Sequence, residues 1–111
     1  MHTRARLAAV LALTLGGIAL SMAAPASPRP QGPCDIYGAA GDPCTAAHST
    51  TRALYAAYNG PLYQVMRQSD GRKLNIGVVK PSGADAGGYA DAAAQDRFCA
   101  NTVCWIATIY D

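Results

Sequence analysis

Glutamate is missing from the 111 residues, and all seven acidic side chains are aspartates. That removes the H-E-x-x-H zinc helix, the bidentate Glu of an EF-hand loop and any glycosidase chemistry built on a Glu pair within this segment. Charge of either sign is scarce at 14%, and from Ser27 onward seven basic residues balance seven aspartates without any Lys/Arg cluster. Such a chain presents no electrostatic footprint for nucleic acid or an anionic membrane surface, and neither is an expected partner. No apolar run reaches the ~20 residues a membrane-crossing helix needs; the longest, residues 7–20, is interrupted by Gly16 and Gly17. The length allows at most one small domain.

What is present begins with an address. Met1 to Arg6 is short and basic, residues 7–20 are apolar, and small residues follow at Ser21, Ala23, Ala24 and Ala26. This three-part pattern marks residues 1–26 as a secretory signal peptide, with cleavage after Ala23 or Ala26 satisfying the small-residue rule. The expected location is therefore extracellular, with no membrane attachment once the signal is removed. In an oxidising compartment the four cysteines, Cys34, Cys44, Cys99 and Cys104, read as disulfides, for which three connectivities exist. Proximity favours Cys34 with Cys44 and Cys99 with Cys104. Zinc ligation wants closely spaced pairs such as C-x₂-C, and neither gap supplies one. No metal or cofactor site is expected.

Ser27 to Pro33 carries three of the seven prolines and reads as a flexible leader, so that the domain proper spans residues 34–111. Cys34 to Cys44, with Gly38, Gly41 and Asp42-Pro43, reads as a turn-rich loop. Residues 46–58 have hydroxyls in front, good helix formers behind and Asn59-Gly60-Pro61 at the end, the pattern of a short capped helix. Leu62 to Arg67 and Lys73 to Val79 alternate in character around an Asp70-Gly71 reversal and predict a β-hairpin. An Ala-rich stretch from Tyr89 to Phe98 predicts a second short helix. Trp105 to Tyr110, aromatic and β-branched, predicts a buried strand. A strand this apolar beside an open edge, over so thin a core, reads as the front part of a larger domain.

Several blocks resemble a known family in order. They are Gly32-Pro-Cys-Asp-Ile-Tyr37, Ala46-Ala-His-Ser-Thr-Thr-Arg-Ala-Leu-Tyr55, Gly60-Pro-Leu-Tyr-Gln-Val65, Ile76-Gly-Val78, Gly87-Gly-Tyr-Ala90, Ala92-Ala-Ala-Gln-Asp96, Phe98-Cys-Ala-Asn101 and Ile109-Tyr-Asp111. Together they resemble the opening of the catalytic domain of glycoside hydrolase family 54, the α-L-arabinofuranosidase B family. The resemblance covers nearly everything from Gly32 onward and includes all four cysteines. It implies a mainly β fold, part of a concanavalin A-like jelly-roll β-sandwich with short helices, and the same local cysteine pairing. It also implies a secreted, retaining enzyme that removes terminal α-L-arabinofuranosyl groups from arabinan and arabinoxylan, plant cell-wall polysaccharides being the partners and a monomer the expected state. The family's nucleophilic Glu and acid/base Asp lie downstream of the matching segment, so no catalytic residue is carried over and the chain by itself is expected to be an inactive N-terminal fragment.

Retaining hydrolysis needs two carboxyls about 5 to 5.5 Å apart. Among the aspartates, Asp42 precedes a proline, Asp70 a glycine, Asp35 flanks a cysteine, and Asp91 and Asp96 are spaced off one helix face, so turn and surface roles are preferred. His48 beside Ser49 lacks a G-x-S-x-G elbow and reads as capping or packing rather than as a base and nucleophile. Tyr55, Tyr58, Tyr63, Tyr89 and Trp105 are assigned mainly to the core. Two other readings stand beside the enzyme: a non-catalytic, lectin-like β-sandwich that binds carbohydrate through exposed aromatics, and an inactive gene remnant.

Overall fold

Alternation along residues 61–77 forms the hairpin the sequence predicts. In the computed structural model, which describes residues 16–17 and 28–111, β1 (Pro61–Arg67) and β2 (Lys73–Gly77) pair antiparallel, with Tyr63 opposite Ile76 and Val65 opposite Leu74. A third strand, β3 (Cys104–Ile109), pairs antiparallel with the other side of β1, giving the order β2-β1-β3. With two seven-residue helices, α1 (Pro33–Ala39) and α2 (Ala92–Phe98), the fold is mainly β as expected. The expected signal peptide, residues 1–26, lies outside the described residues apart from Gly16 and Gly17.

The core lies on one face of the sheet. Tyr63, Val65 and Ile76 are buried there with Leu62, and Leu74, Val78, Phe98 and the Cys99–Cys104 disulfide pack around them. A register shift between Pro61 and Tyr63 explains how adjacent residues Leu62 and Tyr63 both reach the interior, since regular alternation would send one outward. The Tyr63 hydroxyl donates to Gln95 of α2, so the one polar atom of this core side chain is paired. Burial, with the Asp96 carboxylate as the smaller cause, pushes the Tyr63 phenol up from its ordinary value.

The hairpin turn is held by charge. Arg67 and Asp70 form a two-pronged pair with N···O distances of 2.8 and 2.7 Å, and the Asp70 carboxylate also accepts the Arg72 amide. The Arg67 guanidinium stacks 4.6 Å from the Phe98 ring centre, tying the turn to α2. Hydrogen bonding from Arg67 and then from the Arg72 amide lowers the Asp70 carboxyl to about 2. A carboxyl depressed in the folded state stabilises above its unfolded value near ~4 and loses that contribution as pH falls toward 2. Thermal unfolding followed by circular dichroism should therefore show a fall in midpoint between pH 4 and pH 2 that is flatter in Asp70→Asn. The pair is solvent-exposed and salt-screened, so the difference should shrink further in 1 M NaCl.

Three segments depart from the sequence expectation. The Cys34–Cys44 region is not simply a loop, because Pro33 at the first helical position and Asp35, whose carboxylate accepts the Gly32 amide at 2.8 Å, start α1. Residues 46–58 form no helix. Ser49 Oγ does accept the Thr51 and Arg52 amides as a cap would, but the following backbone groups bond elsewhere: Ala53 N–H to Gly88 O, Ala90 N–H to Thr51 O, and Cys34 N–H to Leu54 O. Asp35 takes the Ala56 amide at 2.7 Å, and Arg29 of the leader donates to the carbonyls of Ala56 and Tyr58 and to Asn59 Oδ1. Tertiary partners claimed the donors and acceptors that a helix would have paired internally. The third departure is β3, expected to be buried: Trp105, Ile106 and Ile109 are 44 to 47% exposed, because β3 occupies a sheet edge and no other described element covers it.

Candidate functional site

Both disulfides have the pairing that proximity favoured, Cys34–Cys44 and Cys99–Cys104, and no described cysteine is free. Cys34 lies under the 53–55 segment and is 2% exposed. The two bridges anchor opposite ends of the sheet region, one holding α1 to the loop that follows it and the other holding the end of α2 to the start of β3.

Two clefts are bounded by these elements. The first, about 250 Å³, lies between the 44–58 segment and the strand ends, and is lined by Cys44, Ala47, Leu54, Tyr58, Leu62 and Asp111 among others. Asp111 Oδ1 accepts the Ala47 amide at 2.6 Å, and His48 Nδ1 lies 3.1 Å from the Tyr110 carbonyl. His48 and Ser49 therefore face different partners, and no nucleophile-base pair forms. The second cleft, about 220 Å³, opens between Pro30, Arg52 and the 85–89 loop. There Asp85 accepts the Tyr89 hydroxyl at 2.6 Å and the Gly87 amide at 2.8 Å, which hold its carboxyl below the usual carboxylate range, while the same bond pushes the Tyr89 phenol up.

Five of the seven aspartates serve the backbone. Asp91 caps α2 through the Ala94 amide at 3.1 Å, and Asp35, Asp70, Asp85 and Asp111 each accept the amide bonds described above. At Asp70 and Asp85 these bonds hold the carboxyl below its ordinary value, the opposite of what a general acid needs. Of the aromatics assigned to the core, Tyr63 is buried and Tyr58 packs against it, but Tyr55, Tyr89 and Trp105 are 37 to 46% exposed. Among the described residues no three His, Cys or Asp side chains gather in a metal-ligating group.

The sequence profile described as "Alpha-L-arabinofuranosidase B, catalytic" matches residues 33–111, the segment that carries both disulfides and all three strands. The chain belongs to this family. It is 58% identical over 94 residues to the α-L-arabinofuranosidase B of Aspergillus oryzae, covering 85% of this chain and 18% of that protein. The Emericella nidulans α-L-arabinofuranosidase B is 62% identical over 80 residues, covering 72% and 15%. Among solved structures, an arabinofuranosidase complexed with arabinofuranosyl-α-1,2-xylobiose superposes with a TM-score of 0.65 at 54% identity, covering 73% of this chain and 16% of that one. A glutamate-to-glutamine mutant of a GH54 arabinofuranosidase, soaked with 4-nitrophenyl α-L-arabinofuranoside, superposes with a TM-score of 0.64 at the same identity. The chain thus spans less than a fifth of the length of these relatives, and the glutamate replaced in that mutant has no counterpart in a sequence that contains no Glu.

Proposed function

We propose that these residues are a scaffold portion of a secreted, retaining α-L-arabinofuranosidase that removes terminal arabinofuranosyl groups from arabinan and arabinoxylan, and that the reacting carboxyls come from outside residues 1–111. The observation that carries this reading is the family match over 33–111 combined with the absence of Glu and the engagement of five of the seven aspartates in backbone bonds. A β-sandwich of the concanavalin A-like jelly-roll kind is the architecture we assign to the whole domain. Export rests on the three-part pattern of residues 1–26 and is supported by two disulfides that a reducing cytosol would not maintain. The enzyme works as a monomer on polysaccharide, without nucleic acid or membrane as a partner.

The test is hydrolysis of 4-nitrophenyl α-L-arabinofuranoside. The 111-residue chain should release no nitrophenol above buffer, and the same chain joined to the remaining catalytic domain of a family member should release it with retained configuration, read by proton NMR of the first product. Release by the 111-residue chain alone would overturn the assignment. A second reading, a carbohydrate-binding module without catalysis, is favoured by one observation, the exposure of Tyr55, Tyr89 and Trp105.

A further inference from the structure

The second cleft is lined by Arg52, Asp85 and Tyr89. Arg52 and Tyr89 are partners in an isolated antiparallel bridge, flanked by the Ala53-to-Gly88 and Ala90-to-Thr51 hydrogen bonds of 2.7 and 2.9 Å. Directly opposed residues project to the same side, so their side chains stand next to one another. The loop that supplies Asp85 is closed on itself by paired bonds between Ser82 and Asp85 and by bonds between Val79 and both Gly88 and Tyr89. Asp85 is then fixed by Gly87 and Tyr89. A substituent on Gly87 would lie 2.3 Å from the Val79 carbonyl, and its φ is +66°, so this tight loop path requires glycine.

Three chemistries meet at this cleft. The Tyr89 ring is 46% exposed and offers a flat apolar face. Asp85 is an ionised acceptor locked in place. Arg52 is the free donor, its one side-chain hydrogen bond among the described residues being a long 3.4 Å contact from Nε to the adjacent Ala53 carbonyl. A carboxylate on the wall disfavours an anion, a guanidinium beside it disfavours a cation, and neither suits a purely apolar guest. A neutral ring with an apolar face and vicinal hydroxyls satisfies all three, by stacking on Tyr89, donating to Asp85 and accepting from Arg52. The volume of about 220 Å³ falls below the ~300 Å³ lower end of drug-sized pockets and suits a single sugar unit.

We propose that Arg52, Asp85 and Tyr89 form a binding subsite for one neutral sugar unit of a polysaccharide. It takes its choice of ligand from the carbohydrate reading above but requires no hydrolysis. Affinity electrophoresis of the full-length protein through gels containing neutral arabinoxylan reads it directly. Retardation should fall at least tenfold in apparent affinity in Tyr89→Ala and about fivefold in Arg52→Gln, while Tyr89→Phe, which keeps the ring, should lose less than threefold. Melting midpoints identify any variant that has lost its fold; Arg52→Gln, altering an exposed side chain only, keeps the comparison interpretable if Tyr89→Ala unfolds. Wild-type retardation of folded Tyr89→Ala and Arg52→Gln would overturn the subsite, and so would equal retardation by polygalacturonate, the signature of an anion patch. Because gel retardation needs no turnover, failure of the chain joined to the remaining catalytic domain to release arabinose would sink the enzyme reading and leave this result standing.

Discussion

Replacing all four cysteines with alanine is expected to lower the thermal unfolding midpoint by about 20 °C or more. In the chain-entropy picture a bridge across ten residues, Cys34 to Cys44, is worth about 2.7 kcal/mol, and one across five, Cys99 to Cys104, about 2 kcal/mol. A domain of this size holds only about 4 to 12 kcal/mol in total, and each kcal/mol moves its midpoint by roughly 4 to 8 °C. The two bridges are therefore a large share of what keeps the segment folded. The core explains the dependence, since it consists of four buried side chains on one face of a three-stranded sheet with a partly buried rim. The bridges should not be equal. Removing Cys34–Cys44 frees the longer loop and also empties a site that is 2% exposed, so Cys34→Ala with Cys44→Ala should cost more than the Cys99/Cys104 double replacement. Circular dichroism melts of the two double variants, and of the wild type with and without dithiothreitol, measure this. A reduced protein that melts within a few degrees of the oxidised one would show that packing alone suffices.

The parts of this fold legible in the sequence are those whose signal is local. Alternation around Asp70-Gly71 specified the hairpin because register and turn are decided within 17 residues, and Gly71, at φ +68°, does what the turn requires. The cysteine pairing was legible by proximity alone. By contrast, residues 46–58 have the composition of a helix and are not one, because their amides and carbonyls are matched by Asp35, Arg29, Gly88 and Ala90, residues between 21 and 39 positions away in the chain. No window of sequence contains that competition. The start of α1 was present in the sequence as Pro33 followed by Asp35, yet the glycines around it read as turn punctuation. For β3 the strand was legible but its environment was not: composition says a segment is apolar, and only topology says whether another layer lies over it. The candidate site followed the same division. Tyr63 at core spacing is core, whereas Tyr89 owes its exposure to a bridge with Arg52 that periodicity does not encode.

The crossing of the leader over the 53–56 segment gives the second large effect, and it comes with an internal control. Gly32 sits at the point where the chain entering α1 passes the backbone of Leu54, and a Cβ placed on it would lie 2.2 Å from the Leu54 carbonyl oxygen and 2.6 Å from its carbon. Its φ of −84° is open to any residue, so the demand for glycine is one of space and not of backbone conformation. The obstacle is a backbone carbonyl that accepts the Cys34 amide at 3.0 Å and cannot swing aside as a side-chain tip would. Separating the two strands of chain to admit a methyl group would break that bond, loosen the Asp35 contacts to Gly32 and Ala56, and shift the buried Cys34. Overpacking alone costs about 1 to 3 kcal/mol and a lost buried hydrogen bond about 1 more, so Gly32→Ala should destabilise by about 3 kcal/mol. Gly38, six residues on and inside α1, has nothing within 4 Å of the same construction, and there alanine improves helix propensity and restricts the unfolded chain. Gly38→Ala should therefore stabilise by about 0.5 to 1 kcal/mol. Two chemically identical substitutions with opposite signs, measured by urea unfolding, test the crossing itself: equal and small effects at both positions would mean that the leader does not pass over Leu54 in solution.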